Sequence, residues 1–364
     1  MPLAADPEPD DAHPAPPSPA PRAATPPRGV PVRVAADGPG ATAALQVLLS
    51  GRPDGPDPPL RAFMDHARTH RMDLSGLWAV YGRRGRPRQA ALTVPGVGRT
   101  AMLFLSPLTR RAQVGPAAAL TRAAVAGHPV RGLALVQALL STDEGLKSDA
   151  LSLGGLTRLA ELLYLHRPAG ARPLAAELAD PEAPAGLVRP RPTPADPIEP
   201  ADPRGLRGEA WTPDRGDAFA AVIAASYEGT RDCAGLRGLR DIDDVMAGHR
   251  ATGVFHPGLW TLWSDRAGPV AVLLLAEAAA GGDRPAGPGP GVELVYLGVA
   301  PRGRGRGIGA ALLRYASAAA TPFGSAISLA VDRDNPAARR LYRRADFNVT
   351  TRRTAWIVVP PPKT

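Results

Sequence analysis

Residues 301–313 read PRGRGRGIGAALL, with glycine at 303, 305, 307 and 309 and arginine at 302, 304 and 306. The backbone N–H groups of a glycine-rich turn that runs into a helix converge on one point. The helix dipole adds positive potential there, so such a turn binds phosphate or pyrophosphate. Glycines 307 and 309 let the backbone approach a ligand with no Cβ in the way, and Arg302, Arg304 and Arg306 supply charge to the same ligand. Two ligand-binding alternatives compete with this reading. A dinucleotide-binding turn wants G-x-G-x-x-G with an acidic residue ~20 positions further on, and the strict glycine alternation here does not fit. An arginine-glycine tract for RNA is disordered, whereas this one lies between a strand and an apolar-faced helix. A tight turn without ligand remains possible, although four glycines are more than it needs.

The elements that hold this turn follow from periodicity. VELVYLGVA, 292–300, is a strand ended by Pro301, and Ile308, Leu312, Tyr315 and Ala319 mark one face of a helix over 308–320. SAISLAV is the next strand, PAARRLYRRA a helix and RTAWIVV the closing strand. Upstream, DRGDAFAAVIAASYEG reads as a helix with Asp214 or Asp217 near its start, followed by strands at LWTLWS and PVAVLLLAE. Alternating strands and helices define an α/β (α+β) domain. Asn335 before Pro336 reads as an N-cap followed by proline at the first helical position. Tyr342 lies seven residues on, hence on the same helical face.

At 364 residues the chain has room for two domains. Its 43 prolines exceed ordinary usage and must gather in tails and connectors. Residues 1–30 read as a disordered Pro/Ala-rich tail with no signal peptide, 31–168 and 206–364 as globular, and 169–205 as a Pro-rich linker. All but two of the 43 basic residues are arginine, a bias that coding composition alone can produce, so the net charge of +9 is weak support for a nucleic-acid or membrane partner. The single cysteine, Cys233, excludes an intrachain disulfide and a cysteine-based zinc site. No run approaches the ~20 apolar residues of a membrane span. A cytoplasmic setting is expected, with no metal; Cys233, His249 and His256 read as structural.

The stretch VELVYLGVAPRGRGRGIGAALL resembles the central motif of the GNAT superfamily of N-acetyltransferases, whose pyrophosphate loop has the form Q/R-x-x-G-x-G/A. Here that loop is Arg304, Gly305, Arg306, Gly307, Ile308 and Gly309. AVDRDNPAARRLYRRADF resembles the family's second motif, with Asp346 where glycine is usual. The resemblance implies an acyl-CoA cosubstrate, normally acetyl-CoA, and an amine acceptor, small molecule or protein. It implies that the strand before the loop splays from its neighbour, so that Leu297, Gly298 and Val299 receive the pantetheine and thioester. Asn335 then also lies beside the CoA arm and Tyr342 is the general acid, a phenol of pKa near ~10 able to protonate a departing thiolate. The alternative for Tyr342 is core packing. A family subset uses a glutamate as base at the position of Glu293. That residue is placed by strand alternation on the face of Val295 and Leu297, and an exposed strand-edge carboxylate is the other reading. Acceptor choice in the family comes from the first helices and their joining loop, where Glu228, Asp232, Asp241, Asp243 and Asp244 are either a lure for a cationic amine or a solvated helix face.

The first half carries a second copy. AMLFLSPLTRRAQVGPAAAL lies over VYLGVAPRGRGRGIGAALLR with an offset of 194, and GGLTRLAELLYLHR over ADFNVTTRRTAWIV with an offset of 191. In that copy Glu293 is replaced by Arg99, Gly307 by Gln113, Asn335 by about Glu144 and Tyr342 by about Leu151. The expected architecture is two GNAT-like domains, each a mixed sheet flanked by helices, the first degenerate and the second transferring an acetyl group to a primary amine. A non-catalytic acyl-CoA sensor stays open as the alternative, with an Arg/Gly-rich nucleic-acid-binding protein behind it. The acceptor and the oligomeric state are not readable from the sequence.

Overall fold

The structure, a computed structural model, describes residues 28–54, 57–82, 85–171, 205–278 and 290–361. The N-terminal tail up to residue 27, the linker over 172–204 and most of the DRPAGPGPG loop lie outside the described residues.

Twelve strands form one sheet. In chain order they are β1 (Pro31–Arg33), β2 (Leu77–Tyr81), β3 (Pro87–Gly96), β4 (Thr100–Leu105), β5 (Leu135–Ser141), β6 (Thr157–Arg167), β7 (Arg207–Ala210), β8 (Trp260–Asp265), β9 (Gly268–Glu277), β10 (Gly291–Val299), β11 (Ala326–Asp332) and β12 (Asn348–Val358). The helices are α1 (Pro39–Ser50), α2 (Asp57–Thr69), α3 (Val114–Ala126), α4 (Gly145–Leu153), α5 (Gly216–Ser226), α6 (Ile242–Arg250), α7 (Ile308–Ala319) and α8 (Pro336–Arg344).

The strand order is β1-β2-β3-β4-β5-β12-β6-β11-β10-β9-β8-β7, symmetric about the central β6–β12 pair. The starts of β5 and β11, of α4 and α8, and of β6 and β12 each differ by 191 residues, so the internal repeat is structural. Its two copies share the sheet rather than standing apart. β12, the last strand of the second copy, pairs with β5 of the first, and β6, the last strand of the first, pairs with β11 of the second. Each half is completed by the other's closing strand.

Among the described residues, only the strand pairs β4–β5 and β10–β11 are parallel, each bridged by a crossover helix as parallel strands require. One face of the sheet packs against α3, α4, α7 and α8, whose apolar stripes meet Leu120, Val136, Leu140 and Trp356 in one half and Leu163, Leu165, Leu312 and Leu329 in the other. The opposite face packs against α1 and α2 in the first half, and in the second against α5 and α6 around Phe219, Ile223 and Trp260. Alternating residues of one strand feed the two layers: Leu273 and Leu275 point to α7, Val272 and Leu274 to α5.

Candidate functional site

The parallel ladder of β10 and β11 has three pairs, Gly291–Ala326, Val292–Ile327 and Glu293–Ser328, and then stops. Beyond Glu293 the strands diverge. The edge of β10 that faces β11 therefore has no strand partner over Leu294–Val299, while its other edge stays bonded to β9. A cleft of about 890 Å³ opens into this gap. Among its lining residues are Leu297, Gly298 and Val299 on β10, Arg304, Gly305, Gly307, Ile308 and Gly309 on the glycine loop, Asn335 and Tyr342 on α8, and Asp232 on the α5–α6 loop. Eleven of the sequence-derived site residues thus share one cavity; Glu293, Arg306 and Glu228 are not on its wall.

The loop is built to present N–H groups. Gly305 and Gly307 adopt φ of 74° and 70°, the left-handed region where a side chain is strained, and Gly307 is the N-cap residue of α7. Among the described residues, the N–H groups of Gly305, Gly307, Ile308 and Gly309 have no backbone acceptor. An anion such as pyrophosphate supplies the missing acceptors at a helix N-terminus, so the loop fits the group the sequence implies. The three arginines divide their tasks. Arg302 Nη1 donates to both carboxylate oxygens of Asp265, at 2.8 and 2.9 Å, and its Nη2 donates to the carbonyls of Gly268 and Pro269. Arg306 reaches the same carboxylate at 2.8 Å. Both guanidinium groups hold Asp265 well below the usual carboxylate range and brace the loop on the β8–β9 hairpin. The expectation that all three point at one ligand is corrected on this count. Arg304 alone lies on the cleft, anchored by Nη2 on the Ser226 carbonyl at 2.9 Å.

Asn335 caps α8, its Oδ1 accepting from the Ala338 N–H at 3.2 Å, and stands on the cleft wall as well. Tyr342 is buried, packs on Phe347 with ring centroids 5.6 Å apart, and still borders the cleft, so core packing and access to the cavity coexist. Burial, and after it the Asp232 carboxylate, push its phenol upward from the ordinary value of 10.0.

Asp232 is a structural carboxylate. Its Oδ1 accepts from the Asp332 N–H at 2.9 Å, and Asp332 Oδ2 in turn accepts from the Cys233 N–H at 3.0 Å. This exchange ties the α5–α6 loop to the end of β11. Burial raises the Asp232 carboxyl, and burial with the two aspartates pushes the Cys233 thiol up to about 12. Glu228 lines a separate groove of about 440 Å³ with Ala221 and Arg302. Arg99, at the tip of the β3–β4 hairpin, pairs with both Asp241 and Asp244, with its Nε 2.8 Å from Asp244; Asp241 stays exposed to solvent and Asp244 is largely covered. His256 is also not without a partner, since its Nε2 lies 2.7 Å from Glu277.

Glu293 keeps the face of Val295 but not that of Leu297. The ladder to β9 steps from Leu294–Leu275 to Tyr296–Leu274, leaving Val295 as a bulge residue that reverses the alternation. Glu293 therefore shares the face of Tyr296, whose hydroxyl is 2.7 Å from Ser226 Oγ, and Leu297 points the other way, toward α7. The bulge gives no sequence signal, because VELVYLGVA reads as an unbroken strand.

The matching place in the first half is closed. Gln113 Oε1 accepts from the N–H groups of Thr109 and Arg110, each at 2.8 Å. A side-chain amide thus takes donors of the loop that aligns with the glycine loop. Arg111 pairs with Asp149 across α3 and α4, and Leu108, Val114, Ala117, Leu146 and Ala150 fill the space between them. Glu144 stands at the N-cap position of α4 as Asn335 does in α8, and Leu151 is fully buried where Tyr342 would be. The last parallel pair of β4 and β5 is Met102–Gln137, so Met102, rather than Arg99, is the structural counterpart of Glu293.

A splayed parallel pair, a glycine loop at a helix N-terminus between them and a capped second helix define the acyl-CoA-dependent acetyltransferase architecture. Residues 254–347, in the second half of the chain, match the family model described as Acetyltransferase (GNAT) family. It is similar in fold to a GCN5-related N-acetyltransferase from Sphaerobacter thermophilus, with 17% identity, a TM-score of 0.53, and coverage of 90% of this chain and 95% of that one. Two further structures resemble it less closely in shape. One is a tandem GNAT protein from the clavulanic acid biosynthesis pathway, with 17% identity, TM-score 0.45, and 92% and 99% of the two chains covered. The other is a GCN5-related N-acetyltransferase from Kribbella flavida, with 18% identity, TM-score 0.42, and 73% and 85% covered. No curated protein matches the chain. Among the described residues no helix is long and apolar enough to cross a membrane, and no cluster of three or more His, Cys, Asp or Glu side chains could hold a metal ion.

Proposed function

We propose that the second half transfers an acetyl group from acetyl-CoA to a primary amine by direct attack on the thioester, and that the first half is a degenerate copy without a working acyl-CoA cradle. The observation that carries this reading is the contrast between the two loops: Gly305, Gly307, Ile308 and Gly309 leave their N–H groups without a backbone acceptor, whereas the first half has Gln113 at the place of Gly307, in right-handed helical geometry and with its side chain folded back onto the Thr109 and Arg110 N–H groups.

Bound acetyl-CoA supplies an activated acyl group on a good leaving thiolate. The chain's own residues do the rest. Arg304 and the N–H groups of Gly305–Gly309 hold the diphosphate, and the unpaired edge of β10 at Leu297, Gly298 and Val299 offers backbone donors to the pantetheine and to the carbonyl oxygen that gains charge. Asn335 fixes the start of α8 and so places Tyr342. The phenol donates its proton to the departing sulfur. Its raised pKa keeps it protonated until a thiolate forms beside it, and burial raises the basicity of that thiolate in the same direction. Glu293, off the cleft wall but beside Leu294 at its edge, is the base that takes the proton of the attacking amine through a water molecule.

The test is thiol release from acetyl-CoA across a panel of primary amines, with Tyr342→Phe as the comparison. The variant is expected to retain acetyl-CoA affinity within about threefold while kcat falls about 100-fold, the size of a lost general acid. Binding of acetyl-CoA with no turnover on any amine would favour a sensor, and equal kcat in the variant would remove Tyr342 from the chemistry.

A further inference from the structure

The exchanged strand β6 carries the first half's side chains into the second half's site. In register across the sheet, Glu293 on β10 faces Ser328 on β11, and Ser328 faces His166 on β6. The three lie in one row on the face opposite α7 and α8. The last contact is made: His166 Nδ1 lies 3.1 Å from Ser328 Oγ. The row sits where β10 and β11 separate, one residue before the stretch Leu294–Val299 that lines the cleft, and its far end is partly exposed at His166.

The repeat supplies an internal control. The corresponding row in the first half is Met102 on β4, Gln137 on β5 and Ile357 on β12. It contains no side chain that ionises near neutral pH. The half with the open glycine loop has the ionisable row, and the half whose loop is closed by Gln113 has the inert one.

We propose that Glu293, Ser328 and His166 form a proton path out of the second half's site, so that the first half contributes a working residue to the reaction through its exchanged strand. This rests on the acetyltransferase reading above. The ammonium proton of the acceptor passes to the Glu293 carboxylate. Glu293 returns it to the Ser328 hydroxyl oxygen as that hydroxyl gives its own proton to His166 Nδ1, and His166 releases a proton to solvent from Nε2. The acceptor ammonium loses two protons: one leaves by this path, and the other, given up after attack on the thioester, replaces the proton that Tyr342 gives to sulfur, so every group ends in its starting protonation state after tautomer exchange at His166. His166 is suited to accept, because burial lowers its pKa from 6.5 and leaves the ring neutral at pH 7. The polar groups on its face are Glu293 from β10, Ser328 from β11, Tyr164 from β6 itself and Asn348 from β12, while Arg353 and Cys233 act on Tyr164.

The experiment uses the full chain in two arms. In the first, the imidazole of His166 is titrated by NMR. Glu293→Gln is expected to lower its pKa by up to about half a pH unit, as loss of a carboxylate two strand spacings, about 10 Å, away would. In the second, thiol release from acetyl-CoA is followed against pH with benzylamine, which must lose a proton, and with hydroxylamine, which is already neutral. His166→Gln and Ser328→Ala are expected to slow benzylamine acetylation about tenfold and to remove its acidic limb, with little effect on hydroxylamine and on acetyl-CoA binding. A His166 pKa unmoved by Glu293→Gln, or a benzylamine profile unchanged in His166→Gln, overturns the path. Loss of both amines equally assigns His166 a purely structural role and also overturns it. If wild type binds no acetyl-CoA, the acetyltransferase reading fails separately; if it binds but acetylates neither probe, the NMR arm decides alone.

Discussion

Replacing Gly307 separates the backbone's requirements from the ligand's. The residue has φ of 70° and ψ of 12° and caps α7. An L-residue there costs about 1–2 kcal/mol, which lowers Tm by about 2–4 °C in a chain of this size. Gly307→Ala isolates that cost. Gly307→Glu adds a carboxylate at the mouth of the loop. A charge about 6 Å from a doubly charged diphosphate, at an effective dielectric constant of about 40, is worth about 3 kcal/mol of repulsion, or roughly 100-fold in Kd. The assay is calorimetric titration with acetyl-CoA beside a melting curve for each variant. The expected pattern is a similar Tm drop in both variants, with the large loss of affinity only in Gly307→Glu. If Gly307→Glu melts as expected and binds acetyl-CoA within threefold of the parent, the diphosphate does not lie in this loop.

Other perturbations test the parts around it. Asp265→Asn removes the shared partner of Arg302 and Arg306 and should weaken acetyl-CoA binding several-fold without touching the cleft; because both arginines hold the Asp265 carboxyl low, the parent should keep this brace at pH 4, with acetyl-CoA affinity there as the check. His249 is half-buried with its Nε2 fully covered, and that desolvation, with Arg240 after it, lowers its pKa from 6.5 to about 4 and keeps it neutral. The unfolded chain binds a proton the folded one refuses between those values, so stability falls as pH drops from 6.5 toward 4, by up to about 3 kcal/mol. In denaturant titrations His249→Phe should flatten that part of the curve. Asn335→Ala should cost about 1 kcal/mol of stability for the lost cap, read by melting, and should lower kcat by misplacing Tyr342.

What the sequence made legible was local. Four glycines after a strand, and Asn335-Pro336 before an amphipathic helix, fix conformations through φ and through capping, and both sites lie where that chemistry puts them. The strands β8 to β12 and the helices α5, α7 and α8 were readable from periodicity for the same reason. The α1 and α2 helices were not, since proline and glycine punctuate the GRPDGPDPP stretch between them. The side-chain destinations of Arg302, Arg306, Asp232 and Asp241 depend on partners 37 to 142 residues away, which no local pattern encodes. The bulge at Val295, which puts Leu297 on the face opposite Glu293, was silent because an extra residue in a β-ladder has no composition of its own. Exchange of β6 and β12 is equally silent, since either strand presents the same alternation to either neighbour.

The central claim is one working acyl-CoA cradle per chain, in the second half. Calorimetric titration of the full chain with acetyl-CoA measures it directly. The account predicts a single site per chain, abolished by Gly307→Glu and untouched by Gln113→Ala. Two sites would show that the first half is not degenerate, and no heat of binding at all would contradict the acetyltransferase reading as a whole.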